Sequence, residues 1–152
     1  MEFEFLDAGE MVDGDLRLRV GKRDAGDPER GWVPAYHFDM VHVPSGEWAG
    51  TIDLRVGDTP HLRLYGGHSG YFVASPFRGR RYAARALRML FPLARRHGMR
   101  ELWVTCNPDN LASARTCEIA GGEYVETLDL PEDTDMYREG ERQKMRYRFD
   151  LG

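Results

Sequence analysis

The chain has 152 residues, 41% of them apolar and 30% charged, with a formal charge of −4. That length suits one domain with a buried core, and the composition is that of a globular protein rather than a disordered or fibrous one. Two cysteines, Cys106 and Cys117, are too few for a disulfide framework or a tetrahedral metal site, and no apolar run is long enough to cross a bilayer.

The acidic opening "MEFEFLDAGEMVDGD" lacks the basic and apolar blocks of a secretory signal, so a cytoplasmic location is expected. Residues 1–14 read as the loosely ordered edge of a single domain spanning 1–152. In "DLRLRVGK" Leu16, Leu18 and Val20 alternate with charge, the period of a half-buried strand. A polar loop (22–31) follows, then two more strands, 35–43 and 47–56, joined by "PSG". "HLRLY" and "HSGYFV" read as strands meeting at Gly66-Gly67, a pair that accepts the positive φ of a tight hairpin turn. The first half is thus expected to be an antiparallel meander.

The period changes after Pro76. Ala83, Ala86, Leu87, Leu90 and Ala94 fall at helical spacings with most arginines off that stripe, which predicts a helix over 80–97 stopped by His97-Gly98 and either kinked or loosened in its last turn by Pro92. "ELWVTC" (101–106) is the continuous apolar run of a strand covered on both faces. A helix over 111–120, ended by Gly121-Gly122, leads to the strand "EYVETLDL" and a closing strand in "KMRYRFDL". This order predicts an α/β (α+β) fold with a mixed sheet, parallel where 68–74, the first helix and 101–106 form a right-handed crossover.

Charge is uneven. Eight arginines and no acid lie between Arg78 and Arg100, while acids gather in 2–15 and 123–141. A strand–turn–helix unit leaves the first helical N–H groups without intrahelical partners, at the positive end of the helix dipole, so the turn at "SPFRGRRYAARAL" is suited to an anionic group. Gly79 lets main chain approach a ligand, and the arginines can fork onto phosphate oxygens. The turn has neither the GxxxxGK[ST] of a nucleotide P-loop nor the GxGxxG dinucleotide fingerprint.

Arg78-Gly79-Arg80-Arg81-Tyr82-Ala83 resembles the signature of the GNAT superfamily of N-acetyltransferases: Arg or Gln, two residues, Gly, one residue, then Gly or Ala. Arg81 stands at the middle glycine. Downstream, "VTCNPDNLASARTCEIAGG" is similar to the family's strand and asparagine-led helix, with Asn107 ending the strand, Asn110 opening the helix, Ser113 three on and Gly121 closing it. The resemblance covers about 68–125; before residue 35 a polar loop stands where the family places one or two helices.

The resemblance implies a mostly antiparallel sheet with a central splayed parallel strand pair and flanking helices. It also implies acetyl-coenzyme A as co-substrate, with no metal. The amides of Arg78, Gly79, Arg80, Arg81, Tyr82 and Ala83 would hold the pyrophosphate, with Arg81 at negative φ. The pantetheine arm would pair with backbone groups of Phe72 and Val73 and meet Asn107, Asn110 and Ser113. An acetyl group would pass to a primary amine of a small molecule or peptide by direct attack. The family's proton donor is a tyrosine seven residues after the helix-opening asparagine, a position held here by Cys117, whose thiol has an ordinary pKa of about 8.5. If Cys117 is only a core side chain, the thiolate leaves unassisted or another residue such as Tyr82 or Tyr124 serves. His68, just before the cofactor strand, is the candidate general base, with Glu47 and Asp53 as rivals. His37 and His42 are five apart, on opposite faces of a strand, so no metal site is expected. The acids of 131–141 are candidates to line the amine site. Two other readings are a non-catalytic acyl-CoA sensor or interaction module, and a nucleic-acid binder, which overall acidity disfavours. No membrane partner is expected, and a homodimer through sheet edges fits the family.

Overall fold

The structure is a computed structural model that describes residues 3–152. Five antiparallel strands form one sheet in sequence order: β1 (Met11–Asp13), β2 (Leu16–Asp24), β3 (Ala35–His42), β4 (Glu47–Arg55) and β5 (Tyr71–Val73). The chain then builds α1 (Tyr82–Arg96), β6 (Glu101–Cys106), α2 (Leu111–Ile119), β7 (Glu123–Asp129), a single helical turn α3 (Asp135–Arg138) and β8 (Gln143–Asp150). Strands β6, β8 and β7 make a second, three-stranded antiparallel sheet.

Alternation sorts the first sheet. Leu16 and Leu18, Tyr36, Phe38 and Met40, and Ile52 and Leu54 are buried in one core with Ala86, Leu87, Leu90, Leu93 and Ala94 of α1. The same core takes Cys117 and Ala120 near α2 and Val104, Tyr147 and Phe149 of the second sheet. Burial of each larger side chain contributes roughly 1.5–3 kcal/mol. Helix α1 runs through Pro92 to Arg96, because the proline and Arg88 one turn earlier lie on the exposed face, where water replaces the lost backbone bond. Gly98, at φ +82°, takes the left-handed step after the helix.

Three expectations are corrected. The parallel pair is not a hydrogen-bonded ladder: every ladder among the described residues is antiparallel, and β5 and β6 belong to different sheets. The sheets touch where the His68 N–H donates to the Trp103 carbonyl (2.7 Å) and the Trp103 N–H donates to His68 Nδ1 (2.9 Å). An imidazole thus stands where a main-chain acceptor would continue the pairing, and beyond it the two edges part. Residues Leu62–Gly66 form a π-helical turn, not a hairpin strand. The Arg55 guanidinium holds the carbonyls of Gly66 and Gly67, and the Thr105 hydroxyl donates to the Tyr65 carbonyl (2.6 Å). The described part of the amino-terminal stretch is packed rather than loose. Phe5 meets Tyr36 edge-on at 5.0 Å, Phe3 stacks on His97, and β1 pairs with β2. Residues 1 and 2 lie outside the described part.

Candidate functional site

Among the described residues strand β5 pairs with no strand but β4, and on its other edge Arg78 Nε donates to the Val73 carbonyl (3.0 Å), leaving the N–H groups of that edge open. The Asp53 N–H donates to Gly70 O and the Ala74 N–H donates to Ala49 O, so even-numbered residues turn their main chain toward β4. By that parity the amide groups of Tyr71 and Val73 face the opening, while those of Phe72 face Thr51 of β4. Phe72 fronts the cleft, but Tyr71 takes its expected place as a main-chain partner.

Above β5 the chain turns through Ser75–Phe77 and enters α1. No side chain caps the first turn of α1, and its first intrahelical bond is Arg85 N–H to Arg81 O, so the amides of Tyr82, Ala83 and Ala84 are unused by the helix. Gly79 has φ +86° and open space around it. Arg81 is the one non-glycine residue at positive φ among the described residues (φ +60°, ψ +28°), against the expectation of negative φ. A left-handed arginine costs roughly 1 kcal/mol. The pinned first turn imposes it: the buried Tyr82 hydroxyl donates to Asp15 Oδ2 (2.8 Å), and Arg85 donates to Asp13 Oδ2 (3.0 Å) and Asp15 Oδ1 (2.9 Å). The hydrogen bonds from Tyr82 and Arg85 hold the Asp15 carboxyl below the usual carboxylate range. These contacts also redistribute the expected cationic cluster: Arg80 lies 3.8 Å from Asp15 and outside the cleft, whereas Arg78 and Arg81 line it.

On the opposite side Asn110 caps α2, its Oδ1 accepting from Ser113 N–H (3.1 Å). Asn107 Oδ1 accepts from Lys144 Nζ (2.8 Å), which also donates to Glu141 Oε1 (2.9 Å). Burial would raise the Glu141 carboxyl, but hydrogen bonds from Lys144 and Asn107 and the ammonium charge outweigh it and lower its pKa. Lys144 was not anticipated, and Glu141, one of the acids considered for the amine site, lines this cleft. Alternation placed Met145 and its neighbours on a strand but gave no sign that the intervening lysine turns into a cleft.

Between these walls lies a cleft of about 610 Å3. It gathers Phe72, Val73, Arg78, Gly79, Arg81, Tyr82, Ala83, Asn107, Asn110 and Ser113, with Tyr71, Thr105, Cys106, Glu141 and Lys144. A second cavity of about 550 Å3 shares Gly70, Tyr71 and Phe72 with it and is bordered by Lys22, His37, Asp39, Thr51 and Asp53. Asp53 is fixed there, accepting from the Gly70 N–H (2.7 Å) and from Arg55 (3.1 Å).

The two expected proton-handling residues are not in the cleft. His68 is buried; Nδ1 accepts from Trp103, so Nε2 carries the proton and donates to the Gly57 carbonyl (2.9 Å). Burial lowers its pKa, and both nitrogens are engaged within the protein. The imidazole holds the sheets together and has no lone pair to offer an ammonium. Cys117 is fully buried, and burial pushes its thiol up to about 12. Of the other tyrosines, Tyr82 lines the cleft but spends its hydroxyl on Asp15, and Tyr124 donates or accepts with Thr127 on the exposed face of β7. Tyr71 instead reaches α2: its hydroxyl is 2.8 Å from Ser113 Oγ and 3.6 Å from Cys117 Sγ. Among the described residues no group of three His, Cys, Asp or Glu side chains is placed to hold a metal, and no helix is long and apolar enough to cross a membrane.

Parted sheet edges beside an uncapped helix start frame a cleft suited to an anionic ligand with an extended arm. The sequence profile of the acetyltransferase (GNAT) domain matches residues 14–123, and the chain belongs to that family. Among solved structures, a ribosomal L7/L12 alpha-N-protein acetyltransferase (RimL) in complex with coenzyme A superposes with a TM-score of 0.66 at 16% identity, covering 93% of this chain and 97% of that one. A putative ribosomal-protein-serine acetyltransferase from Vibrio cholerae gives 0.64 at 15% identity over 93% and 97%. The microcin C7 self-immunity acetyltransferase MccE, solved with acetyl-CoA and AMP, gives 0.60 at 17% identity; the match spans 76% of this chain and 61% of that one. Comparison with curated protein sequences returns no match.

Proposed function

We propose that the protein is a cytoplasmic enzyme that transfers an acetyl group from acetyl-coenzyme A to a primary amine by direct attack. The observation that carries this reading is the uncapped start of α1, opening onto a cleft walled by the free edge of β5. The amides after Arg81 are suited to a diphosphate, and an extended arm fits along the Val73 and Tyr71 amides, with Asn107 and Asn110 across from it. A cleft N–H of β5 would stabilise the developing oxyanion. Holding the two reactants together supplies much of the rate gain. Membership of the acetyltransferase family supports the chemistry, and the related structures solved with coenzyme A or acetyl-CoA support the cofactor.

For the acceptor we propose a peptide amino terminus reached through the second cavity, where Asp39 and Asp53 supply negative charge beside β5. Solved relatives named for modifying the N-terminal serine of ribosomal protein L7/L12 and for acetylating alanine of ribosomal protein S5 favour this over a polyamine or antibiotic. The test is calorimetric titration with acetyl-CoA, then thiol release across peptides with free amino-terminal serine or alanine, spermidine and an aminoglycoside. Binding with turnover on a serine or alanine peptide supports the reading. Folded protein that ignores acetyl-CoA at high micromolar concentration refutes it, and binding without turnover on any amine leaves an acyl-CoA sensor.

A further inference from the structure

Attack on a thioester has a second demand besides activating the amine: the departing sulfur carries an electron pair that needs a hydrogen-bond donor. The helix position first considered for this task, Cys117, is sealed in the core with its thiol held protonated by burial. Three observations place another group at the same spot. Tyr71 lines the cleft, and its main-chain groups face it by strand parity. Its hydroxyl sits between Ser113 Oγ and Cys117 Sγ, at 2.8 and 3.6 Å, so a phenol rooted in β5 delivers its oxygen against the cleft-facing start of α2. Ser113 is itself fixed, since its N–H donates to the Asn110 cap. Ser69 Oγ, on a residue that also lines the cleft, is buried with no partner among the described residues, an arrangement suited to a polar atom of a ligand.

We infer that Tyr71 is a catalytic residue, its phenol donating to the sulfur of the acetyl donor as the carbon–sulfur bond breaks, with Ser113 holding the hydroxyl in place. The inference rests on the reading that acetyl-CoA occupies this cleft. The amine nitrogen bonds to the carbonyl carbon, and collapse of the tetrahedral adduct sends the carbon–sulfur electron pair onto sulfur. Tyr71 passes its proton to that sulfur and regains the proton released by the nitrogen, leaving amide and free thiol. Burial raises the phenol well above its ordinary pKa, with the neighbouring Cys117 adding to the effect, so Tyr71 remains a donor throughout the neutral range. Strand β5 thereby supplies what α2 lacks.

The test uses Tyr71→Phe, which keeps the ring and removes only the hydroxyl. Acetyl-CoA affinity by calorimetry stays within about twofold, while thiol release with a serine-amino-terminal peptide falls about 100-fold. If the peptide is not accepted, the slow transfer to water is the readout. The deciding comparison replaces acetyl-CoA by its oxygen-ester analogue, whose leaving alkoxide is far more basic. A donor to the leaving group makes the Tyr71→Phe loss at least about tenfold larger on that analogue; a residue that merely shapes the cleft gives equal losses on both. Ser113→Ala, which frees the hydroxyl without removing it, loses less than Tyr71→Phe. Turnover by Tyr71→Phe within about threefold of wild type, or equal losses on the two donors, overturns the inference while acetyl-CoA binding leaves the cofactor reading standing. A wild-type protein that does not bind acetyl-CoA overturns both.

Discussion

At its open end the cleft is walled by main chain: the amides entering α1, the glycine at 79 and the free edge of β5. Elsewhere it is walled by side chains that arrive from far apart in sequence, Tyr71 on Ser113 and Lys144 on Asn107, while outside it His68 on Trp103 ties the two sheets together. The difference teaches which parts tolerate substitution. A main-chain wall depends on conformation and accepts many residues, whereas a wall of interlocked side chains depends on each partner. Arg81 in place of a glycine illustrates the first case, since the turn keeps its shape at a modest strain cost.

The sharpest way to break this contrast is His68→Ala. It strips partners from the buried Trp103 N–H and the Gly57 carbonyl and opens a void, so stability to urea should fall by about 4 kcal/mol. A variant as stable as wild type would mean that the imidazole does not tie the sheets. Gly50→Ala probes β5 itself: an added Cβ would sit 2.1 Å from the Phe72 carbonyl oxygen, a main-chain atom that cannot swing aside. A loss of about 3 kcal/mol is expected, accompanied by weaker acetyl-CoA binding as β5 shifts into the cleft. Unchanged melting would show that the β4–β5 register is looser than described. At the open end, Arg81→Gly should raise stability by about 1 kcal/mol in thermal melts, because it relieves the left-handed backbone. A fall in melting temperature would assign the guanidinium a role that the turn's shape does not reveal.

The smallest effect at neutral pH belongs to Cys117. Its folded thiol titrates at about 12, above the ordinary value near 8.5, so the folded state holds that proton more tightly than the unfolded one. The contribution is fully present below about pH 8.5 and is lost as pH rises toward 12. The wild-type minus Cys117→Ala stability difference, measured by urea titration, should therefore be flat at neutral pH and decline through that alkaline window. A difference that instead rises between neutrality and about pH 8.5 would mean a thiol more acidic folded than unfolded, and would contradict its burial.

The same contrast explains what could be read in advance. Most strands of the meander and the two long helices, within a residue or two at their ends, follow from periods of two and 3.6 and are present. What was missed depends on contacts between distant residues. No local pattern distinguishes a histidine with both nitrogens engaged from one facing a substrate, and His68 meets Trp103 across 35 positions. Nor does spacing show that Tyr71 reaches a helix 42 residues on. The π-helical turn at Leu62–Gly66 was hidden for a related reason, since Arg55, Thr105 and Arg146 hold its carbonyls from elsewhere in the chain.

Gly70, Tyr71 and Phe72 front both cavities, so a single strand is the partition between them. Under the proposed chemistry, donor and acceptor enter by separate cavities and meet beside Gly70, Tyr71 and Phe72, which both cavities share. Spent thiol and acetylated product then have independent exits, and neither must wait for the other to depart.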